Sequence, residues 1–294
     1  MDAARPTDHN VPIAAALASR GAAPRQHQNP PENGIGRGDT HVIVRSERQG
    51  RHRHRLFARH RPRDRRADGG PGRQGGHFVA QGRACQEVVD AINAKHGDGT
   101  AIAVPANISS KSDLQHLVDE TNRVFGKIDV LVCNAASNPY YGPMGGVTDE
   151  QFRKVLDNNV ISNHWLIQMV APQMIDRKDG SIIIVSSIGG LRGSPTIGVY
   201  NISKAADFQL ARNLAVEFGP HNVRVNCIAP GLIKTDFARA LWEDPVRYKQ
   251  STENAPLRRI GEPVEIAGAA VYLASSASSF MTGQALVVDG GVTI

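Results

Sequence analysis

The sequence predicts an α/β fold, a doubly wound parallel sheet built as a single domain, and three observations predict it. From Ala84 onward, stretches of helical periodicity alternate with short apolar runs, the pattern of helices that connect parallel strands. Each apolar run gives way to polar, proline or glycine residues (Asn107, Asn134, Ser187, Pro230-Gly231), which then line the edge where such sheets hold ligands. At 294 residues the chain is long enough to bury the core of one such domain.

The elements follow in order. The helical pattern CQEVVDAINAKH leads to the β-branched run TAIAVPA. A polar helix opened by a capping serine, SSKSDLQHLVDETNRVFG, leads to IDVLVCNAA. A long amphipathic segment from about Asp149 to Met174 leads to SIIIVSS. A helix from about Tyr200 to Phe218 leads to VRVNCIAP, and EPVEIAGAAVYLAS leads to ALVVDGG.

Residues 1–83 are of a different kind. They hold sixteen Arg, no Lys, seven acids and seven of the eleven His, a charge balance of +9, whereas the rest of the chain balances at −3. The net charge of +6 therefore describes neither part. The stretch 45–66 is Arg-rich with little apolar periodicity, and 67–77 is rich in Gly, so the region reads as irregular. A basic arm for nucleic acid would want lysines, interleaved aromatics or an amphipathic face; these are missing, and no nucleic-acid partner is expected.

No apolar stretch approaches the length of a membrane span, and VPIAAALA lacks the basic flank of a signal peptide. Cys85, Cys133 and Cys227 are widely spaced and make neither a disulfide framework nor a metal pair. Cys133 and Cys227 sit inside apolar runs as small buried hydrophobes. A cytoplasmic setting, no metal and no membrane partner are the expectations.

Chemistry concentrates in Tyr200-Asn201-Ile202-Ser203-Lys204, with Ser187 thirteen residues upstream. A Tyr and a Lys four apart on a helix project from one face. A fixed ammonium stabilises a phenolate and lowers the phenol pKa from its ordinary value of about 10. A serine at the end of a neighbouring strand can hydrogen-bond the same substrate oxygen. Together they can move a proton on and off an alcohol or carbonyl.

On these residues the chain resembles the short-chain dehydrogenase/reductase family, over about Ala84 to Val292. Asn134-Ala135-Ala136 stands where the family has its NNAG turn, and Asn158-Asn159-Val160 matches its Asn-Val site. Ser187, Tyr200 and Lys204 match the catalytic Ser and YxxxK. Pro230-Gly231, with Ile233 and Thr235, matches the loop that holds the nicotinamide carboxamide. GEPVEIAGAAVYLAS…MTGQALVVDGG matches the C-terminal unit. The stretch PGLIKTDFARALW is most similar to bacterial relatives of the animal NADP-dependent retinal/carbonyl reductases, with 3-oxoacyl-carrier-protein reductases and sugar dehydrogenases close behind.

The resemblance implies a Rossmann-like fold, an NAD(P)-dependent alcohol/carbonyl oxidoreductase, a small-molecule substrate and a homo-oligomer, a tetramer or a dimer. It gives Tyr200 the role of general acid/base. Lys204 lowers the Tyr200 pKa and bonds the nicotinamide ribose. Ser187 polarises the substrate oxygen, and Ser186 faces the other side of the strand as a structural residue. Asn159 holds a water in the proton relay, with a helix-kinking or inter-helix hydrogen bond as the alternative. Asn107 and Ile108 contact adenine; Asn134 joins the cofactor turn or ties two strand ends. Leu232 to Arg258 forms the substrate lid, whose Phe237, Leu241 and Trp242 suit a partly hydrophobic substrate.

One part of the family pattern is missing. The TGxxxGIG turn that cradles the pyrophosphate at a helix N-terminus has no counterpart at the right distance before Asn134. Asn33-Gly34-Ile35-Gly36-Arg37 follows no strand and lies too far upstream. The right distance falls on Arg53 to Asp64, for which suitable codons read one base later spell VTGSSRGIGRA. The same shift extends from Val42 to Gln81, and the normal frame resumes near Arg83. The expectation is a catalytic domain over 84–294, preceded by an out-of-frame segment over 1–83 that has lost the first βαβ unit. The shifted reading carries SSRK after its second strand. That segment favours NADP(H), with NAD(H) the alternative, because an Arg suits a 2′-phosphate.

Overall fold

The computed structural model describes residues 39–48, 51–57, 75–253 and 255–294. A seven-stranded sheet organises them, with β1 (Asp39–Arg48), β2 (Arg51–Phe57), β3 (Ala101–Ala106), β4 (Val130–Cys133), β5 (Gly180–Val185), β6 (Val223–Pro230) and β7 (Ala285–Val288). The strand order is β3-β1-β2-β4-β5-β6-β7. The helices are α1 (Gly75–His96), α2 (Lys111–Phe125), α3 (Asp149–Leu156), α4 (Ser162–Arg177), α5 (Gly198–Phe218), α6 (Arg239–Trp242), α7 (Pro245–Thr252) and α8 (Pro263–Ala274).

Strands β2, β4, β5, β6 and β7 run parallel, as the alternating pattern requires. Every residue of β4 is buried, as are all but the last of β5 and of β6. Successive strand residues point to opposite faces, so helices cover both sides of the central sheet. Pro105, which cannot donate to a ladder, is tolerated because β3 is an edge strand.

Two features depart from the expected pattern. Residues 39–48 and 51–57 lie in the stretch expected to be irregular, yet they form strands, and α1 begins at Gly75 rather than near Ala84. Strand β1 is antiparallel to both β2 and β3, because only two residues separate it from β2 and so short a connection reverses the chain. The rest of residues 1–74 lies outside the described residues.

The long segment Asp149–Met174 is not one continuous α-helix. Thr148 and Gln151 form a reciprocal capping box at the start of α3. Residues Asp157–Ile161 then form a π-turn, in which the Ser162 N–H donates to Asp157 O, and α4 continues from there. Side chains supply partners for carbonyls in the widened turn: Ser162 Oγ donates to Asn158 O at 2.6 Å, and Asn163 Nδ2 to Asn159 O at 2.7 Å. The turn also rotates Asn158 and Asn159 into buried positions.

Candidate active site

Ser187 and Tyr200 sit beyond the end of β5, on two neighbouring elements. Ser187 caps the short 3-10 turn Ile188–Gly190, its Oγ accepting from Gly189 N at 3.0 Å, and its hydroxyl faces the Tyr200 phenol and favours its ionised form. Tyr200 and Lys204 occupy successive turns of α5, with the ammonium 5.8 Å from the centre of the Tyr200 ring. Tyr200 is half-buried, while Lys204 is only 1% exposed. The backbone of α5 is held against the turn at this point. Ser186 Oγ donates to Lys204 O at 2.7 Å, so Ser186 does face away from the site and does structural work. Gly190 packs so closely that an added Cβ would lie 2.7 Å from the Lys204 carbonyl carbon and oxygen.

The electrostatics differ from the simple Tyr–Lys argument. Burial pushes the Tyr200 phenol above its ordinary value; the Lys204 ammonium and the Ser187 hydroxyl pull it down without cancelling that effect, and Asp207 pushes it up further. Lys204 lowers the phenol as expected, but desolvation is the larger effect. Lys204 itself is disfavoured by burial, yet the Asp207 carboxylate and the Tyr200 phenol together carry it above its ordinary value. Its Nζ donates to Val185 O at 2.9 Å and to Asp207 Oδ2 at 3.0 Å.

Asn159 is completely buried, and its amide is engaged on all sides. Its Oδ1 accepts from Ser137 N at 2.7 Å, and its Nδ2 donates to Ser137 O and to Ser203 Oγ, each at 3.0 Å. Asn159 therefore ties the loop after β4 to α5, the inter-helix alternative the sequence allowed. Asn134, Ala135 and Ala136 follow β4, with the two alanines buried. Asn107 turns the chain into α2: its Oδ1 accepts from Ser109 N at 3.0 Å, and its N–H donates to Asp113 Oδ2 at 2.9 Å. Ile108 beside it is buried.

Pro230 ends β6, and Gly231 N–H donates to Val288 O at 2.9 Å. Gly231 is required there, since a Cβ would lie 2.8 Å from the Asp289 Cα. Ile233 bridges to Gly261, and Thr235 O accepts from Trp242 Nε1 at 2.9 Å, which folds the lid segment back on itself. Phe237 reaches Tyr200, with their rings 6.1 Å apart. Two residues of this cluster escaped the sequence reading, Asp207 and Asn163. Their signal was helical spacing, Asp207 three residues after Lys204 and Asn163 four after Asn159.

Fit to a dinucleotide can be judged at one end. Val185 and Asp207 account for two of the three Lys204 ammonium protons, which leaves one for a ribose hydroxyl. Tyr200, Asn134 and the Pro230-Gly231 loop lie at the same edge of the sheet, so the residues present fit the nicotinamide–ribose half. The turn that would hold the pyrophosphate falls after β2, in residues 58–74, outside the described residues. Among the described residues no cluster of His, Cys, Asp or Glu could hold a metal, and no helix is long and apolar enough to cross a membrane.

Known proteins are similar to this chain. The family model described as Enoyl-(Acyl carrier protein) reductase matches residues 74–293. Dehydrogenase/reductase SDR family member 4 of Bos taurus is 40% identical over 218 residues, 74% of this chain and 78% of that protein. Dehydrogenase/reductase SDR family member 2, mitochondrial, of Homo sapiens is 36% identical over 219 residues, again 74% and 78%. A 7α-hydroxysteroid dehydrogenase complexed with NADH and 7-oxo glycochenodeoxycholic acid has a TM-score of 0.65 at 35% identity, covering 71% of this chain and 80% of that one. A gluconate 5-dehydrogenase from Burkholderia cenocepacia J2315, in complex with NADP and tartrate, has a TM-score of 0.64 at 28% identity, covering 71% and 82%. The chain belongs to the short-chain dehydrogenase/reductase family and is, by that membership, a dehydrogenase/reductase.

Proposed function

We propose that this enzyme interconverts an alcohol and a ketone or aldehyde, with Tyr200 as general acid/base. The observation that carries the reading is the meeting of Ser187, Tyr200 and Lys204 at one edge of the sheet. The bound NAD(P) would supply or accept the hydride at the substrate carbon. In reduction, Ser187 donates a hydrogen bond to the carbonyl oxygen, and the Tyr200 hydroxyl gives that oxygen its proton. The charge left on the Tyr200 oxygen is stabilised by the Lys204 ammonium. In oxidation the same proton returns to Tyr200. Asn159 keeps Ser137 and Ser203 in place around α5, and Phe237 closes one side of the space above Tyr200, which favours a substrate with apolar bulk.

The wider reading is a carbonyl reductase preferring NADP(H), oligomeric and cytoplasmic; 3-oxoacyl-carrier-protein reduction is the alternative substrate class. Carbonyl and alcohol substrates assayed with both cofactors test it. Replacing Tyr200 by Phe should lower kcat by about 10²–10⁴-fold. Full activity in that variant would remove Tyr200 from the mechanism.

A second reading has its own observation, the lysine-free, Arg-rich composition of residues 1–83. In it the chain keeps the catalytic groups but has lost the dinucleotide cradle through an out-of-frame segment. Titration with NADPH separates the two: saturable binding supports the first, and none at millimolar cofactor supports the second.

A further inference from the structure

Beneath Lys204 lies a carboxylate that the proposed reaction does not use. Asp207 is fully buried, and its two oxygens are spoken for: Oδ2 by Lys204 Nζ at 3.0 Å, Oδ1 by Asn163 Nδ2 at 3.2 Å. Asn163 is itself buried, and the same amide nitrogen donates to Asn159 O. A polar chain thus runs from the π-turn through Asn163 and Asp207 to Lys204, ending beside Tyr200. We propose that Asp207 is a positioning residue for the reaction, which keeps the Lys204 side chain both charged and aimed at Tyr200 inside an otherwise apolar site. This inference rests on the reading of Tyr200 as the acid/base.

The physical need is specific. Lys204 is among the largest fully buried side chains of the protein, and an ammonium so enclosed loses its proton readily unless a counter-charge opposes desolvation. Asp207 supplies that charge from one turn along the same helix. Among the described residues, the surrounding elements offer no other ionised group to do so. Cys133 of β4 and Cys227 of β6 face the pair, but burial pushes both thiols up, so they stay neutral through the working range. Arg212, the next cation along α5, acts on Cys227. The segment after β5 presents the Val185 carbonyl and the Ser187 hydroxyl, α4 presents the Asn163 amide, and Tyr200 is neutral until it gives up its proton.

The test is made on the full chain, as the wild type and as Asp207→Asn and Asp207→Glu, with two readouts. The first is the titration of the Lys204 Cε resonance in 13C-lysine-labelled protein, assigned by its loss in Lys204→Met. Lys204 should stay charged beyond the ordinary lysine range in the wild type, and lose its proton at clearly lower pH in Asp207→Asn, where burial is no longer opposed by a carboxylate. The second is the pH profile of kcat/KM for alcohol oxidation. Asp207→Asn should gain a descending alkaline limb, as Lys204 loses its proton, while Asp207→Glu keeps the wild-type shape. An unchanged Lys204 titration or an unchanged profile in Asp207→Asn overturns the proposal. If Asp207→Asn does not fold, a wild-type Lys204 that titrates below the ordinary lysine value of about 10.4 does the same. A wild type without dehydrogenase activity would defeat the functional reading alone, and leave the resonance to decide this one.

Discussion

Gly190→Ala couples the stability of the fold to the position of Lys204. The added methyl would meet the Lys204 carbonyl carbon and oxygen and Phe208 Cε2, all at 2.7 Å, against an ordinary contact of 3.4 Å or more. Two of these atoms belong to backbone, so the strain cannot be relieved by a rotamer change alone. Gly190 has no positive φ, so the effect is steric rather than conformational. Opening the contact requires α5 and the 3-10 turn to separate by about 0.7 Å, against the hydrogen bond from Ser186 Oγ to Lys204 O. Overpacking of this kind costs about 1–3 kcal/mol. For a domain of this size that lowers Tm by roughly 2–12 °C. Because displacements near 1 Å at a reacting group can cost about 10²-fold, kcat should fall by roughly tenfold. Thermal unfolding and steady-state kinetics on the purified variant measure both. A variant with wild-type Tm and wild-type kcat would refute the close packing of Gly190 on Lys204.

Four further outcomes are expected. Lys204→Met leaves the Asp207 carboxylate buried and unpaired, a loss of about 3–5 kcal/mol by denaturant titration; the loss should shrink as pH falls, because protonation relieves the stranded charge. With the Tyr200 phenol above its ordinary value, kcat/KM for oxidation should climb with pH and reach no plateau below about pH 10, whereas reduction stays level over that range. A plateau near neutrality would show that Lys204 outweighs burial. Cys133 and Cys227, buried and with raised pKa, should resist a thiol reagent in the native state and react on unfolding. Sequencing the gene across codons 40–90 should reveal a missing base near codon 83; an intact frame whose codons do not spell the glycine-rich turn would rule the shift out.

Much of the site was legible because its parts are written locally. Strands β4 to β6 are buried on both faces; β4 and the body of β5 read as apolar runs, while β6 carries Arg224 and Asn226 between its apolar residues. The Tyr200–Lys204 spacing declares a shared helix face. Burial was less legible. Nothing in the residues around Lys204 shows that its ammonium is enclosed, and so neither the rise of the Tyr200 phenol nor the need for Asp207 was apparent. The π-turn was hidden because the apolar periodicity of Asp149–Met174 runs on through it, and only the Asn158-Asn159 pair marks the place. The direction of β1 was hidden too, since strand sense is set by the connection to its neighbours rather than by its own residues.

The π-turn has a consequence for how this chain can vary in length. A turn of that kind amounts to a single residue inserted into an α-helix. Deleting one residue between Asp157 and Ile161 would restore a regular α-helical turn and leave the helix after it close to its present phase, because the widened turn absorbs the extra residue locally. Leu166, Ile167 and Val170 would stay on the core, but Asn159, inside the turn, would lose its place against Ser137 and Ser203. The insertion is therefore held by the contacts made within the turn itself. Related chains should tolerate gain or loss of residues in the loop that precedes α3 far more readily than within these five positions.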